Sequence, residues 1–200
     1  ALTELRRHGI PRPDVLISSL GTEIHYGPEL TRDEHWGEHI DYLWRPATVR
    51  RVLAELPGLQ PQSKREQTPF KVSYHYDAER APGVDDVTAL LRSQDVTANL
   101  IYSFGQFLDV IPARASKGQA LRYVAQRLDI ALEHILVAGG AGADEDMMRG
   151  NTLAAVVANR HDEELSELSD SEPIYFTELP YAAGILEADQ PRAVGARDVV

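Results

Sequence analysis

Ile135-Leu136-Val137-Ala138-Gly139-Gly140-Ala141-Gly142-Ala143-Asp144-Glu145-Asp146 is an apolar run that gives way to glycines and alanines and then to an acidic helix start. A short apolar stretch bounded in this way reads as a buried strand, and the turn into a helix makes it half of an α/β unit. In open α/β sheets ligands sit beyond the carboxyl ends of the strands, so the loop after Ala138 faces any site that the fold has. Two readings of the loop stay open. Its glycines allow backbone N–H groups to approach a phosphate closely. Alternatively they make a tight turn, with Asp144, Glu145 and Asp146 complementing the helix dipole.

Outward from this stretch the alternation continues. A helix over Lys117–Leu128 precedes it; a strand Leu153–Val157, an acidic helix around Asp162–Glu167, a short strand Pro173–Phe176 and a helix Tyr181–Glu187 follow. Near the start, Ala1–Gly9 reads as a helix stopped by glycine and Pro11, and Asp14–Ser19 as a buried, parallel strand. Residues 34 to 56 carry apolar side chains at helical steps and predict two helical pieces broken near Arg45-Pro46. The middle changes character. Phe70–Tyr76 alternates like a half-exposed strand, Val84–Arg92 is helical, and Ala98–Ser103 and Phe107–Ile111 read as strands flanking Gly105. That set predicts a small sheet with one face free, an α+β subdomain inserted over residues 28–108 between the core parts 1–27 and 109–188, with 189–200 as a tail or linker.

Composition narrows the partners. Twenty basic against 31 acidic residues give a formal charge of -11, the wrong sign for a chain that tracks nucleic acid or anionic lipid. No apolar run is long enough to cross a bilayer, and with no cysteine a disulfide scaffold is excluded. A cytoplasmic protein is expected. At 200 residues the chain can bury a real core, roughly 70% of its unfolded surface. With neither an initiator Met nor a signal pattern at its start, it reads as a piece of something longer.

Other stretches could carry chemistry. Lys117 stands in the first turn of its helix, where a cation opposes the dipole unless an anionic ligand compensates; a snorkelling surface lysine is the alternative. Lys64–Lys71 mixes charges, an amide and Phe70, as sugar sites do, although a charge-protected strand edge is the commoner explanation. Ser18–Glu23 crowds hydroxyls and a carboxylate at a strand end, which turn capping explains. His35 and His39 stand four residues apart but imply no third ligand, and no nucleophile elbow, P-loop or dinucleotide fingerprint occurs.

Taken together, Asp14–Tyr26, Leu59–Tyr76, Phe104–Gly118 and Ala182–Ala188 resemble the sucrose-phosphate phosphatases and the similar C-terminal domain of bacterial sucrose-phosphate synthases, over about residues 1 to 188. The resemblance implies a haloacid-dehalogenase-like α/β core of parallel strands with an inserted α+β cap. It also implies that the Asp-x-Asp nucleophile motif and the core strand bearing it lie upstream of Ala1, so that no catalytic nucleophile is in the chain. By the same resemblance Lys117 binds phosphate, Glu66, Gln67, Lys71 and Ser73 bind the sugar, and Asp144 belongs to a loop that helps to hold Mg²⁺. The chain departs from the family pattern at several positions. Gly140, Ala141 and Ala143 replace Asp, Ser and Asn of that loop, Phe70 replaces a tryptophan, Thr68 an asparagine and Gln106 a lysine.

A glycine supplies no ligand to Mg²⁺, so the expectation is a phosphatase-like domain of sucrose biosynthesis, most like the synthase domain. It would bind sucrose 6-phosphate without hydrolysing it, or pack against glycosyltransferase domains or a sucrose-phosphate phosphatase. The alternatives are an active Mg²⁺-dependent sucrose 6-phosphate phosphatase and a structural module without a ligand.

Overall fold

The computed structural model describes residues 7, 9, 11–161, 165 and 174–189, in two compact units, Ala1–Ala120 and Leu121–Val200. In the first unit, β1 (Val15–Ser18), β2 (Glu23–Tyr26) and β3 (Thr31–Arg32) form an antiparallel meander with Ile17 opposite Ile24 and His25 opposite Arg32. The strand expected at Asp14–Ser19 is therefore present, but among the described residues it pairs antiparallel and is only half-buried. A turn at Ser19–Gly21 reverses the chain straight after β1, a signal that the apolar run alone does not carry.

Helices α1 (Glu34–Ile40) and α2 (Pro46–Leu53) are the two pieces that helical spacing predicts. Asp33 caps α1 by accepting the Trp36 N–H, and Pro46 opens α2 at the position where its missing N–H costs nothing. Strands β4 (Leu59–Pro61), β5 (Val72–Tyr76), β6 (Ala98–Ser103) and β7 (Phe107–Pro112) make an antiparallel sheet in the order β4-β5-β7-β6, with α3 (Val84–Ser93) between β5 and β6. Its alternation sorts the side chains. Val72, Tyr74, Tyr76, Leu108 and Val110 pack with Val49, Val52 and Leu53 of α2 and Val87 and Leu91 of α3 into one buried cluster. The opposite face carries Ser73, His75 and Asp109, with Ser73 directly across from Asp109.

Helix α4 (Lys117–Arg127) follows β7. In the second unit β8 (Leu136–Gly139), β9 (Leu153–Val156) and β10 (Ile174–Phe176) form a parallel sheet in the order β10-β9-β8, as expected of doubly wound α/β structure. Val137, Met148, Ala154, Val156, Leu165 and Ile174 make its core. The helix expected from Asp144 is a single turn, α5 (Glu145–Met148), because Arg149 and Gly150 leave helical geometry. α6 (Tyr181–Ala188) closes the described part, with Glu187 accepting from the N–H groups of Glu178 and Leu179 and the Tyr175 hydroxyl. Apart from Arg7 and Gly9 the expected N-terminal helix lies outside the described residues, as do the acidic segment 162–167 except Leu165 and all of the expected tail but Asp189. No described helix is long and apolar enough to cross a membrane.

Candidate functional site

The face of the four-stranded sheet opposite its apolar cluster holds a polar network built across β5 and β7. Lys71 Nζ donates to Ser73 Oγ at 2.6 Å and to Asp109 Oδ1 at 3.2 Å. Ser73 is fully buried, and its single proton has two acceptors, the Glu66 carbonyl at 3.1 Å and, closer, Asp109 Oδ1. The side chains of Lys71 and Asp109 are 12% and 15% exposed, so the pair is sheltered from bulk water. An ammonium has three N–H bonds and a carboxylate two oxygens. By this count the network leaves over one ammonium N–H and one carboxylate oxygen, a donor and an acceptor of the kind that sugar hydroxyls bond.

The four residues of the expected sugar segment divide by role. Lys71 and Ser73 belong to this network. Gln67 is engaged with backbone: its amide donates to the carbonyls of Ser73 at 2.8 Å and Gln62 at 3.3 Å, and accepts the Ser73 N–H at 3.0 Å, pinning the loop to the start of β5. Glu66 is exposed and gives the network its carbonyl. Thr68 and Lys71 close a turn through reciprocal backbone bonds, so Phe70 lies in that turn rather than in the strand, with the Arg32 guanidinium 5.9 Å from its ring. Gln106 lines an open polar cleft of about 300 Å³ with Gln60, His75 and Arg80 at the far end of the sheet. Asp109 is the residue that sequence reasoning missed. The signal for it was a lone carboxylate in Phe107-Leu108-Asp109-Val110-Ile111, out of phase with the buried Leu108 and Val110.

Lys117 is the half-buried first residue of α4. Ser116 caps this helix by accepting the Gln119 N–H at 3.0 Å, and the Asn99 amide donates to the Ala115 carbonyl at 2.9 Å, fixing the approach to Lys117. Arg114, the other cation in this loop, stands 3.9 Å from the centre of the Tyr42 ring.

In the second unit the glycine loop folds on itself. Asp144 is 9% exposed, and its Oδ2 accepts the N–H groups of Gly140 and Ala141, each at 3.1 Å. A Cβ on Gly139 would lie 2.5 Å from that oxygen, which is why glycine is required there. Of the two readings left open, this geometry belongs to the tight turn, with the carboxylate as its internal brace. Glu145 pairs with Arg149, and the Arg122 guanidinium holds the carbonyls of Asp146 and Arg149, each at 2.9 Å. Magnesium does not fit the residues present. Gly140 supplies no side-chain oxygen and its carbonyl accepts the His161 N–H, Asp144 Oδ2 is committed to the turn, and no group of three His, Asp or Glu side chains able to hold a metal occurs among the described residues.

Residues 1–190 match the model of the sucrose-6F-phosphate phosphohydrolase family. The chain belongs to that family. It is 30% identical to sucrose-phosphatase 1 of Nicotiana tabacum over 88% of its length, and 26% identical to the mannosylfructose-phosphate phosphatase of Agrobacterium fabrum over 89%. The chain spans 44% of the tobacco protein and 72% of the Agrobacterium one, so it is less than half as long as the plant relatives it matches. Among solved structures, the sucrose-phosphatase of Synechocystis sp. PCC6803 in complex with sucrose and phosphate superposes with a TM-score of 0.85 at 30% identity, covering 94% of this chain and 77% of that one. A haloacid dehalogenase-like hydrolase from Bacillus subtilis shares the fold at 16% identity and a TM-score of 0.57. The haloacid-dehalogenase-like α/β architecture expected from the sequence is thereby established. The relatives are phosphatases, which favours the phosphatase alternative over the synthase-domain expectation.

Proposed function

We propose that the protein to which this chain belongs is a sucrose 6-phosphate phosphohydrolase, with this chain supplying the sugar-recognition face and a phosphate-binding lysine. The observation that carries the reading is the likeness to the Synechocystis enzyme, whose structure holds sucrose and phosphate together, over 94% of the chain. The sugar is gripped at the polar face of the sheet. Lys71 donates and Asp109 accepts from adjacent hydroxyls, Ser73 holds the pair in register, and Glu66 faces outward beside them. Lys117 neutralises the phosphate from the start of α4, a position with little conformational freedom because Ser116 and Asn99 fix the backbone before it. The core-and-cap division at residues 28–108 is part of the same proposal.

A second reading has its own observation. Gly140, Ala141 and Ala143 remove three polar side chains from the loop after β8, which suits a domain that binds sugar phosphate without turnover, as in the synthase-like expectation. One experiment separates the two. Phosphate release from sucrose 6-phosphate by the full-length protein, lowered at least ~100-fold by Lys117→Ala, supports hydrolysis. Calorimetric binding of sucrose 6-phosphate with no release supports the second reading. A melting temperature unmoved by saturating sugar phosphate overturns both in favour of a structural module.

A further inference from the structure

The turn between β1 and β2 carries more strain than a hairpin needs. Ser19, Leu20 and Gly21 are three successive residues with positive φ, at 52°, 60° and 88°, although only the third is glycine. Left-handed geometry at two residues with a Cβ persists only where the surroundings dictate it, and such sites gather where precise placement matters. Here the surroundings are identifiable. Thr22 donates its hydroxyl to the Ser19 carbonyl at 2.9 Å, and the Ser18 and Ser19 hydroxyls both donate to Glu23 Oε2, at 3.2 and 3.1 Å. From α1, the indole of Trp36, itself 2% exposed, donates to the Gly21 carbonyl at 3.0 Å.

What this turn holds is the peptide before Lys117. A Cβ on Gly21 would lie 2.1 Å from the Ser116 carbonyl oxygen and 2.8 Å from the Lys117 nitrogen, so the Gly21 backbone rests directly on the Ser116–Lys117 link. That carbonyl is also the first helical acceptor of α4, taking the Ala120 N–H at 3.0 Å. A shift of Gly21 is therefore a shift of the first turn of α4 and of the lysine on it.

We infer that the Ser19–Gly21 turn, tied down by Trp36, is a seat that positions Lys117 for the phosphate group, making Gly21 and Trp36 positioning residues for phosphate recognition. The inference rests on the reading of Lys117 as the phosphate-binding cation. It requires that damage to the seat weaken phosphate binding while sparing the sugar face, which is built from other strands.

The test measures dissociation constants of inorganic phosphate and of sucrose, separately, on the full-length protein. Lys117→Met is expected to weaken phosphate and leave sucrose unchanged. Gly21→Ala is expected to weaken phosphate about tenfold, with sucrose within about twofold, and to add nothing when Lys117→Met is already present, since both changes remove one interaction. Trp36→Phe, which deletes one N–H and keeps most of the ring, should weaken phosphate about threefold in the same direction; it decides the matter if Gly21→Ala does not fold. Equal losses for phosphate and sucrose, additive losses in the double variant, or unchanged phosphate binding in the variants that fold would overturn the seat. Phosphate binding indifferent to Lys117→Met would instead overturn the reading of Lys117 beneath it.

Discussion

The sheet face around Lys71 and the loop after β8 are both polar sites of this chain, yet they are built in opposite ways. On the sheet face each polar group is held by another from a distant part of the sequence: Ser73 and Asp109 are 36 residues apart and meet through strand register. In the loop the only carboxylate, Asp144, is held by N–H groups three and four residues before it. Long-range wiring ties together strands that meet only through the sheet, whereas the local brace ties a loop to itself. The difference teaches that the sheet-face network depends on correct strand pairing, whereas the loop's brace needs only its own few residues.

The largest expected effect tests the wiring. Asp109→Ala strands a sheltered ammonium beside a buried hydroxyl and should lower stability by about 3 kcal/mol. By thermal denaturation that is a fall in Tm of roughly 6–12 °C for a chain of this size. Asp109→Asn, which keeps an acceptor for Lys71, should recover about half of it. A fall below ~1 kcal/mol for Asp109→Ala would break the comparison, because the face would then be no better wired than the loop.

Next comes the loop. Gly140 has no positive φ, so space alone opposes a side chain there; a Cβ would lie 2.9 Å from Val157 Cγ2 and 3.3 Å from the Arg160 Cα. Restoring the carboxylate of the family pattern with Gly140→Asp should therefore cost about 2 kcal/mol in denaturant titration, since the obstacles are a stiff β-branched side chain and backbone. In a Val157→Ala background the cost of Gly140→Asp should fall to about 1 kcal/mol. A neutral or stabilising Gly140→Asp would mean that the loop still has room for the family's aspartate, and the contrast with the sheet face would shrink.

The smallest effect sharpens the same contrast inside the second unit, where the best-solvated brace is Glu187. The Glu178 N–H, with the Tyr175 hydroxyl and the Leu179 N–H, holds this carboxyl below its ordinary value near 4.5, against a smaller opposing push from desolvation. A depressed folded-state value means that the brace is at full strength above the ordinary value and is lost as pH falls through the folded one. The Tm difference between the natural chain and Glu187→Gln should thus be constant from neutral pH to about 5 and shrink below it. A difference that grows on acidification contradicts the assignment.

The sequence by itself determined the α/β alternation, the break before Pro46, the parallel sheet around Leu136–Gly139 and the placing of a cation at the start of α4. Each of these is written in local periodicity, in proline and glycine positions, or in a motif of a few residues. Tertiary structure alone decided that β1 turns back into an antiparallel meander, that Asp109 pairs with Lys71, that Gln67 serves the backbone and that Gly21 lies on the Ser116–Lys117 link. Those outcomes depend on register and close approach between segments up to 95 residues apart, from Gly21 to Ser116. A side chain's partner across such a gap is fixed by which strands pair and which backbones touch, and no local pattern of residue types encodes that choice.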